Sequence, residues 1–225
     1  MSPADAPDQI DQIDQIGDIM TTAVLPAPAA VRPATTGDID SRAAYAGFGL
    51  AYVLGHGASA VSTGPDPLIA LPAWLPMGLL GAGLVAGTLL AVLAAGRAQR
   101  GAGRHEALSG RLLGLSWISG FAALFLAITG LAAELDRPDL QTMLWPTMAG
   151  FLVGVLYLGE GATRRNVLHY GLGTWLALTS TAALFLGIPG LFWVLAIAGG
   201  GGFALAAVLE SRRLARTSGT SSASR

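Results

Sequence analysis

Ionisable residues are scarce inside the long apolar runs of this chain, and two of them recur in one setting. Residues 54–59 read LGHGAS and residues 158–163 read LGEGAT, so His56 and Glu160 each stand between two glycines. A titratable side chain at bilayer depth is costly and by default marks a proton relay or a ligand contact. An imidazole changes charge near neutral pH, and its ring nitrogens can equally be satisfied by a neighbouring Ser or Thr. Glu160 is followed by Arg164 at i+4, the favourable order for an ion pair on one helix face. A third feature is AGGGG at 198–202. Each glycine weakens a helix by up to ~1 kcal/mol relative to Ala. The run therefore reads either as close packing by a neighbour or as a partly unwound segment lining a substrate site. His56, Glu160, Gly199, Gly200, Gly201 and Gly202 are the candidate substrate-binding or proton-relay residues.

Other chemistries lack their parts. There is no cysteine, hence no disulfide, thiolate metal site or Cys nucleophile. The adjacent pair His105–Glu106 falls short of the several convergent ligands a metal needs. Ser119 and His56 are expected in opposite halves of the bilayer, which separates a hydroxyl from its base. His56 and His169 are expected near opposite faces, which separates paired haem ligands. No HExxH appears, and the glycine run lacks the Lys and Ser/Thr of a phosphate loop. The expectation is a protein that is not an enzyme, with no cofactor, no metal and no nucleic-acid partner. An ATP-driven version would need a separate ATPase subunit.

The elements that must hold these residues follow from composition. The chain is 52% hydrophobic and 12% charged, with mean hydropathy +0.57; an ordinary soluble domain is about 25% charged. Apolar runs lie at roughly 73–95, 112–133, 143–162, 168–187 and 190–209, with a weaker one at 43–62. Each is near the ~20 residues that cross a hydrocarbon core. None shows the alternation of a barrel strand. Pro76, Pro146 and Pro189 sit where helices should begin. The prediction is an all-α polytopic membrane protein with six transmembrane helices in a domain covering 43–210.

Every basic residue is an arginine, and the arginines alternate between loops. The connection 62–72 has none; 96–111 holds Arg97, Arg100, Arg104 and Arg111; 134–142 holds Arg137 beside acidic neighbours; 163–167 holds Arg164 and Arg165; 187–189 has none. The positive-inside rule then places both termini in the cytoplasm, in a multi-pass protein of the cytoplasmic membrane. Trp74, Trp145 and Trp193 fall near the outer ends, where amphipathic rings prefer the interface.

Three spans per half must run in opposite directions, the layout of a 3+3 inverted repeat. The two hexamers would end the first helix of each half, placing His56 near the outer face and Glu160 near the inner one. Small residues at four-residue spacing make flat ridges: Gly47, Ala51, Gly55 and Ser59; Gly83, Gly87, Ala91 and Ala95; Gly150 and Gly154; Ala198, Gly202 and Ala206. Such ridges let helices approach within a chain or between chains, so a homo-oligomer or a membrane-complex partner stands beside the lipid bilayer as an expected partner.

Residues 1–42 form an acidic, then Pro/Ala-rich tail. Its DQIDQIDQI repeat (8–16) has a period of three, which fits neither helix nor strand. Disorder in the cytoplasm is expected, with an acidic docking peptide as the alternative and either Met1 or Met20 as the start. The tail has no basic n-region and no apolar h-region. Residues 211–225 are expected to be a disordered basic, Ser-rich cytoplasmic tail.

The stretch WPTMAGFLVGVLYLGEGATRRNVLHYGLGTWLAL (145–178), followed by VLAIAGGGGFALAA (194–207), resembles small six-span membrane proteins of GC-rich Gram-positive bacteria, some labelled transporter permeases. The resemblance implies an inner-membrane location and transport, and carries over no functional residue. The expected function is a transporter or permease-like component of unknown substrate. The alternative is a non-transporting accessory or scaffold subunit of a larger complex.

Overall fold

A computed structural model describes residues 39–100 and 103–222, with side chains as far as residue 215. The acidic repeat, the Pro/Ala-rich stretch to residue 38 and both candidate start methionines lie outside the described residues, as do 223–225.

Among the described residues all regular structure is helical. Helix α1 (Arg42–Ala51) runs without a break through a π-helical turn (Tyr52–His56) into α2 (Gly57–Ser62). Helices α3 (Trp74–Gln99), α4 (Arg104–Glu134) and α5 (Leu140–Arg164) follow. Helix α6 (Val167–Ala183) leads through a 3₁₀ turn (Leu184–Leu186) to α7 (Gly187–Val194), a second π-helical turn (Leu195–Gly199) and α8 (Gly200–Ser222).

Among the described residues four helical stretches are long and apolar enough to cross a membrane: α3, α4, α5 and Val167–Ala215. The last has 49 residues, roughly 74 Å if straight, far beyond a hydrocarbon core of ~30 Å. It is not straight. Gly187 has a positive φ of 58°, and Ile188 has extended dihedrals of −91° and 133°. The Trp175 indole then donates to the Ala198 carbonyl at 2.7 Å, which folds the stretch back on itself as an antiparallel hairpin.

Glycine makes the other close approaches. An added Cβ on Gly83 would lie 2.8 Å from the Ala51 Cα, and one on Gly47 would lie 3.1 Å from the Gly87 Cα. The ridges of the first and second apolar runs therefore close on each other, antiparallel. Gly154 meets the Gly173 carbonyl and the Ala177 backbone in the same way, closing α5 on α6. The first rod (42–62) also runs antiparallel to α8: Gly49 faces Phe203, and Val53 faces Gly200. The core gathers Tyr45, Tyr52, Tyr157, Leu176, Leu195 and Phe203 between the first rod and the chain from α5 to α8. By contrast α3 and α4 keep Leu89, Val92, Ile118 and Leu126 exposed.

The connections sort by charge. Ala98, His105, Arg164, Arg165 and Arg213 border one crevice, so the arginine-rich connections share one end of the bundle. Gly64 packs on Pro189 at the other end, where the two arginine-free connections meet. Arg137 is bonded twice to Asp139, at 2.9 and 2.7 Å, within its own loop.

Three boundaries differ from the sequence reading. Helix α4 starts at Arg104, ahead of the apolar run, where Glu106 caps the Gly103 amide at 3.2 Å. Helix α5 starts at Leu140, so Pro146 lies inside it rather than at its first turn. Helix α8 continues past residue 210 to Ser222. There Glu210 is fully buried and takes two bonds from Arg213 at i+3, which supports the turn that leaves the bundle.

Candidate functional site

The turn between α5 and α6 is two residues long. Arg165 adopts the left-handed conformation (φ 53°, ψ 34°), its amide bonds to the Ala162 carbonyl, and Asn166 N–H bonds to the Gly161 carbonyl at 2.8 Å. This is a Schellman closure with arginine in the place glycine usually takes. Asn166 then caps α6 by accepting from the His169 amide at 3.0 Å. Gly161 lets the Tyr170 backbone come close. A turn this short brings Glu160, near the end of α5, opposite His169, in the first turn of α6.

Three further side chains complete the cluster. The Tyr45 hydroxyl from α1 lies 2.6 Å from His169 Nδ1. The Trp117 indole from α4 donates to Glu160 Oε1 at 2.9 Å. The Tyr157 ring covers the imidazole, with centroids 4.1 Å apart. His169 Nε2 and Glu160 Oε2 are 3.4 Å apart, within ion-pair reach but outside hydrogen-bond geometry. If the phenol donates to Nδ1, the neutral imidazole carries its proton on Nε2, facing the carboxylate. The side chains of His169 and Glu160 are only 12% and 18% exposed. Four helices thus supply one chain of polar groups: Tyr45, His169, Glu160, Trp117. In this chain His169 Nδ1 and Glu160 Oε1 have hydrogen-bond partners, while His169 Nε2 faces the carboxylate without a hydrogen bond.

A crevice of about 500 Å³ opens one turn away. Leu113, Arg164 and Leu168 line it, and these residues neighbour Trp117, Glu160 and His169 along their own helices.

The sequence candidates divide. Glu160 belongs to the cluster, but its partners are Trp117 and His169. The expected pair with Arg164 is not among the ion pairs of the described residues, because the two-residue turn offers the carboxylate a partner across the hairpin. His56 is 3% exposed, edge-on to Tyr52 at 4.9 Å and stacked near Phe192 at 6.1 Å, and its Nδ1 has no hydrogen-bond partner. Gly199 is covered by the Tyr52 ring, Gly200 by Val53 and Gly202 by Trp175, while Gly201 faces open space. His56 and the glycines therefore lie together in close packing, and none of them borders the crevice. Neither has a hydrogen bond or ion pair with Glu160 among the described residues, and Gly202 packs against Leu172 and Trp175, in the turns just beyond His169 on α6. Ser119 bonds back to the Leu115 carbonyl on an exposed face.

Tyr45, Trp117, Tyr157 and His169 were not picked out as a site by sequence reasoning. The signal for one of them was present: Glu160 and His169 flank a short basic turn at the same end of the bundle. A scan against protein-family models, and searches among curated proteins and solved structures, found no match to this chain. The class defined by the described residues is that of a helical protein with four stretches long and apolar enough to cross a membrane and a partly buried Tyr–His–Glu–Trp cluster at the arginine-rich end.

Proposed function

We propose that this chain is a six-span protein of the cytoplasmic membrane, a transporter or permease-like component, in which Glu160 and His169 hold an exchangeable proton at the inner end. The observation that carries the reading is the continuous contact Tyr45–His169–Glu160–Trp117 beside a crevice. Intramembrane ionisable residues that are paired and border a cavity are the usual parts of proton-linked pathways. The count of six is made up of α3, α4, α5, the two arms of the folded Val167–Ala215 stretch, and the rod 42–62. Inward placement of the arginine-rich end follows the positive-inside rule. The 3+3 inverted repeat is supported by the antiparallel closing of the first and fourth rods on their successors. Superposing 43–133 on 143–209 about an in-plane axis tests it.

The test of function is solute-linked proton flux in proteoliposomes holding a pH dye, screened over amino acids, sugars, organic acids and organic cations. Flux in the wild type that is lost in Glu160→Gln and kept in His56→Leu supports the reading; the reverse pattern overturns it. Orientation has its own test, because the chain has no cysteine. An impermeant maleimide should label Asp66→Cys in intact cells and Arg100→Cys only after permeabilisation.

One observation favours the second reading, a non-transporting subunit. The glycine run and His56 are filled by Tyr52, Val53, Trp175 and Phe192 rather than lining a passage. Absence of flux with every solute class, in protein that stays folded, would select that reading.

A further inference from the structure

The crevice at the arginine-rich end has the makings of an anion site in its own right. Its walls include Gln99, His105, Ser109, Arg164, Arg165 and Asn166. Arginine forks match tetrahedral oxyanions bidentately. Arg165 forms no ion pair with another described residue, and it reaches the crevice wall from a left-handed backbone position. Val167 and Leu168 open α6 on the same wall, and among the described residues their amides donate no backbone hydrogen bond. Unpaired first-turn amides together with the helix dipole favour a negative group.

One acidic residue, Glu106, also lies on the wall and accepts from Gly103 N at 3.2 Å, against the positive charges of Arg164 and Arg165. Arg213 also borders the space and is held by Glu210. A volume of about 500 Å³ is ample for a phosphate group and part of what carries it. We propose that this crevice binds a phosphate group, presented either by an anionic lipid or by a soluble phosphorylated molecule. The proposal does not depend on transport or on the proton held at Glu160.

The test uses the full chain, purified in a neutral detergent. Native mass spectrometry would count bound phosphatidylglycerol against phosphatidylcholine, and thermal unfolding would be followed with added pyrophosphate. Arg164→Gln/Arg165→Gln should weaken binding by about tenfold or more, as expected for lost charge-assisted contacts. Arg97→Gln/Arg100→Gln, which removes equal charge nearby, should leave it within about twofold. Loss confined to phosphatidylglycerol assigns a lipid headgroup; loss confined to pyrophosphate assigns a soluble ligand. Equal loss in both double variants would reduce the effect to diffuse charge and overturn the site. Absence of binding by either probe would do the same. If the Gln pair does not fold, Ser109→Trp fills the crevice with every arginine in place. Binding that survives that substitution also overturns the site.

Discussion

Two histidines, His56 buried and His169 partly buried, sit in different parts of this bundle and are built in opposite ways. His56 sits in the first rod between Tyr52 and Phe192, and its Nδ1 is unpaired. His169 has a tyrosine hydroxyl at 2.6 Å, a carboxylate at 3.4 Å and a ring stacked over it. Both carry the same side chain in an apolar setting. What separates them is the company that the tertiary fold supplies. An ionisable group inside a span earns a functional reading when neighbours can stabilise its charged form, and His56 has none within bonding distance. An imidazole wedged among aromatic rings acts as a flat spacer. One placed between phenol and carboxylate has polar groups on both sides of its ring.

The largest expected effect contrasts the two directly. His169→Leu removes the Tyr45 hydroxyl's partner at 2.6 Å and leaves Trp117 as the hydrogen-bond donor to Glu160, and should destabilise the protein by about 2–3 kcal/mol. His56→Leu, filling a similar volume in an apolar slot, should stay within about 1 kcal/mol of wild type. Unfolding by SDS titration in mixed micelles measures both, and a reversal of the order would break the comparison.

Packing around the His56 end is tested next. Gly199→Ala places a Cβ 2.7 Å from the Tyr52 ring, an overpacking that should destabilise by about 1–3 kcal/mol. Gly201→Ala meets nothing within 4 Å. It should be neutral or stabilise by up to ~1 kcal/mol through the better helix propensity of Ala. Equal effects at the two positions, measured by the same titration, would mean that the run does not pack as described.

Tyr45→Phe removes the phenol from the cluster and keeps its ring. A loss of about 0.5–1.5 kcal/mol is expected, since hydrogen bonds in membrane interiors are individually modest. If Trp117 fluorescence reports the Glu160 contact, its pH dependence should shift in Tyr45→Phe and stay unchanged in His56→Leu. An identical profile in both variants would detach Tyr45 from the Glu160–Trp117 contact.

Much of the architecture is written in local pattern. Apolar runs of the right length place the helices, although Pro146 lies inside α5 rather than at its start. Arginine alternation anticipates which connections share an end, and the crevice bordered by Ala98, Arg164, Arg165 and Arg213 shows that grouping. The small-residue ridges foretell where rods touch, because only glycine lets the Ala51 and Gly83 backbones meet so closely. Boundaries were less legible. Helices α4 and α8 run beyond their apolar runs, since charged residues at a membrane surface are as free to be helical as apolar ones within it.

The site was only half legible, for a physical reason. By itself the sequence determined that the chain is apolar and helical, where it can turn, and that Glu160 and His169 flank one short basic turn. It could not say that Tyr45, from a helix more than 100 positions away, would meet His169 at 2.6 Å, or that Trp117 would take the carboxylate that i+4 spacing offers to Arg164. Those pairings depend on the rotation and depth of one helix against another, which the summed packing of small residues sets and no single motif encodes. The tertiary structure alone decided that His56 is packed among aromatic rings and that His169 meets a tyrosine hydroxyl and a carboxylate.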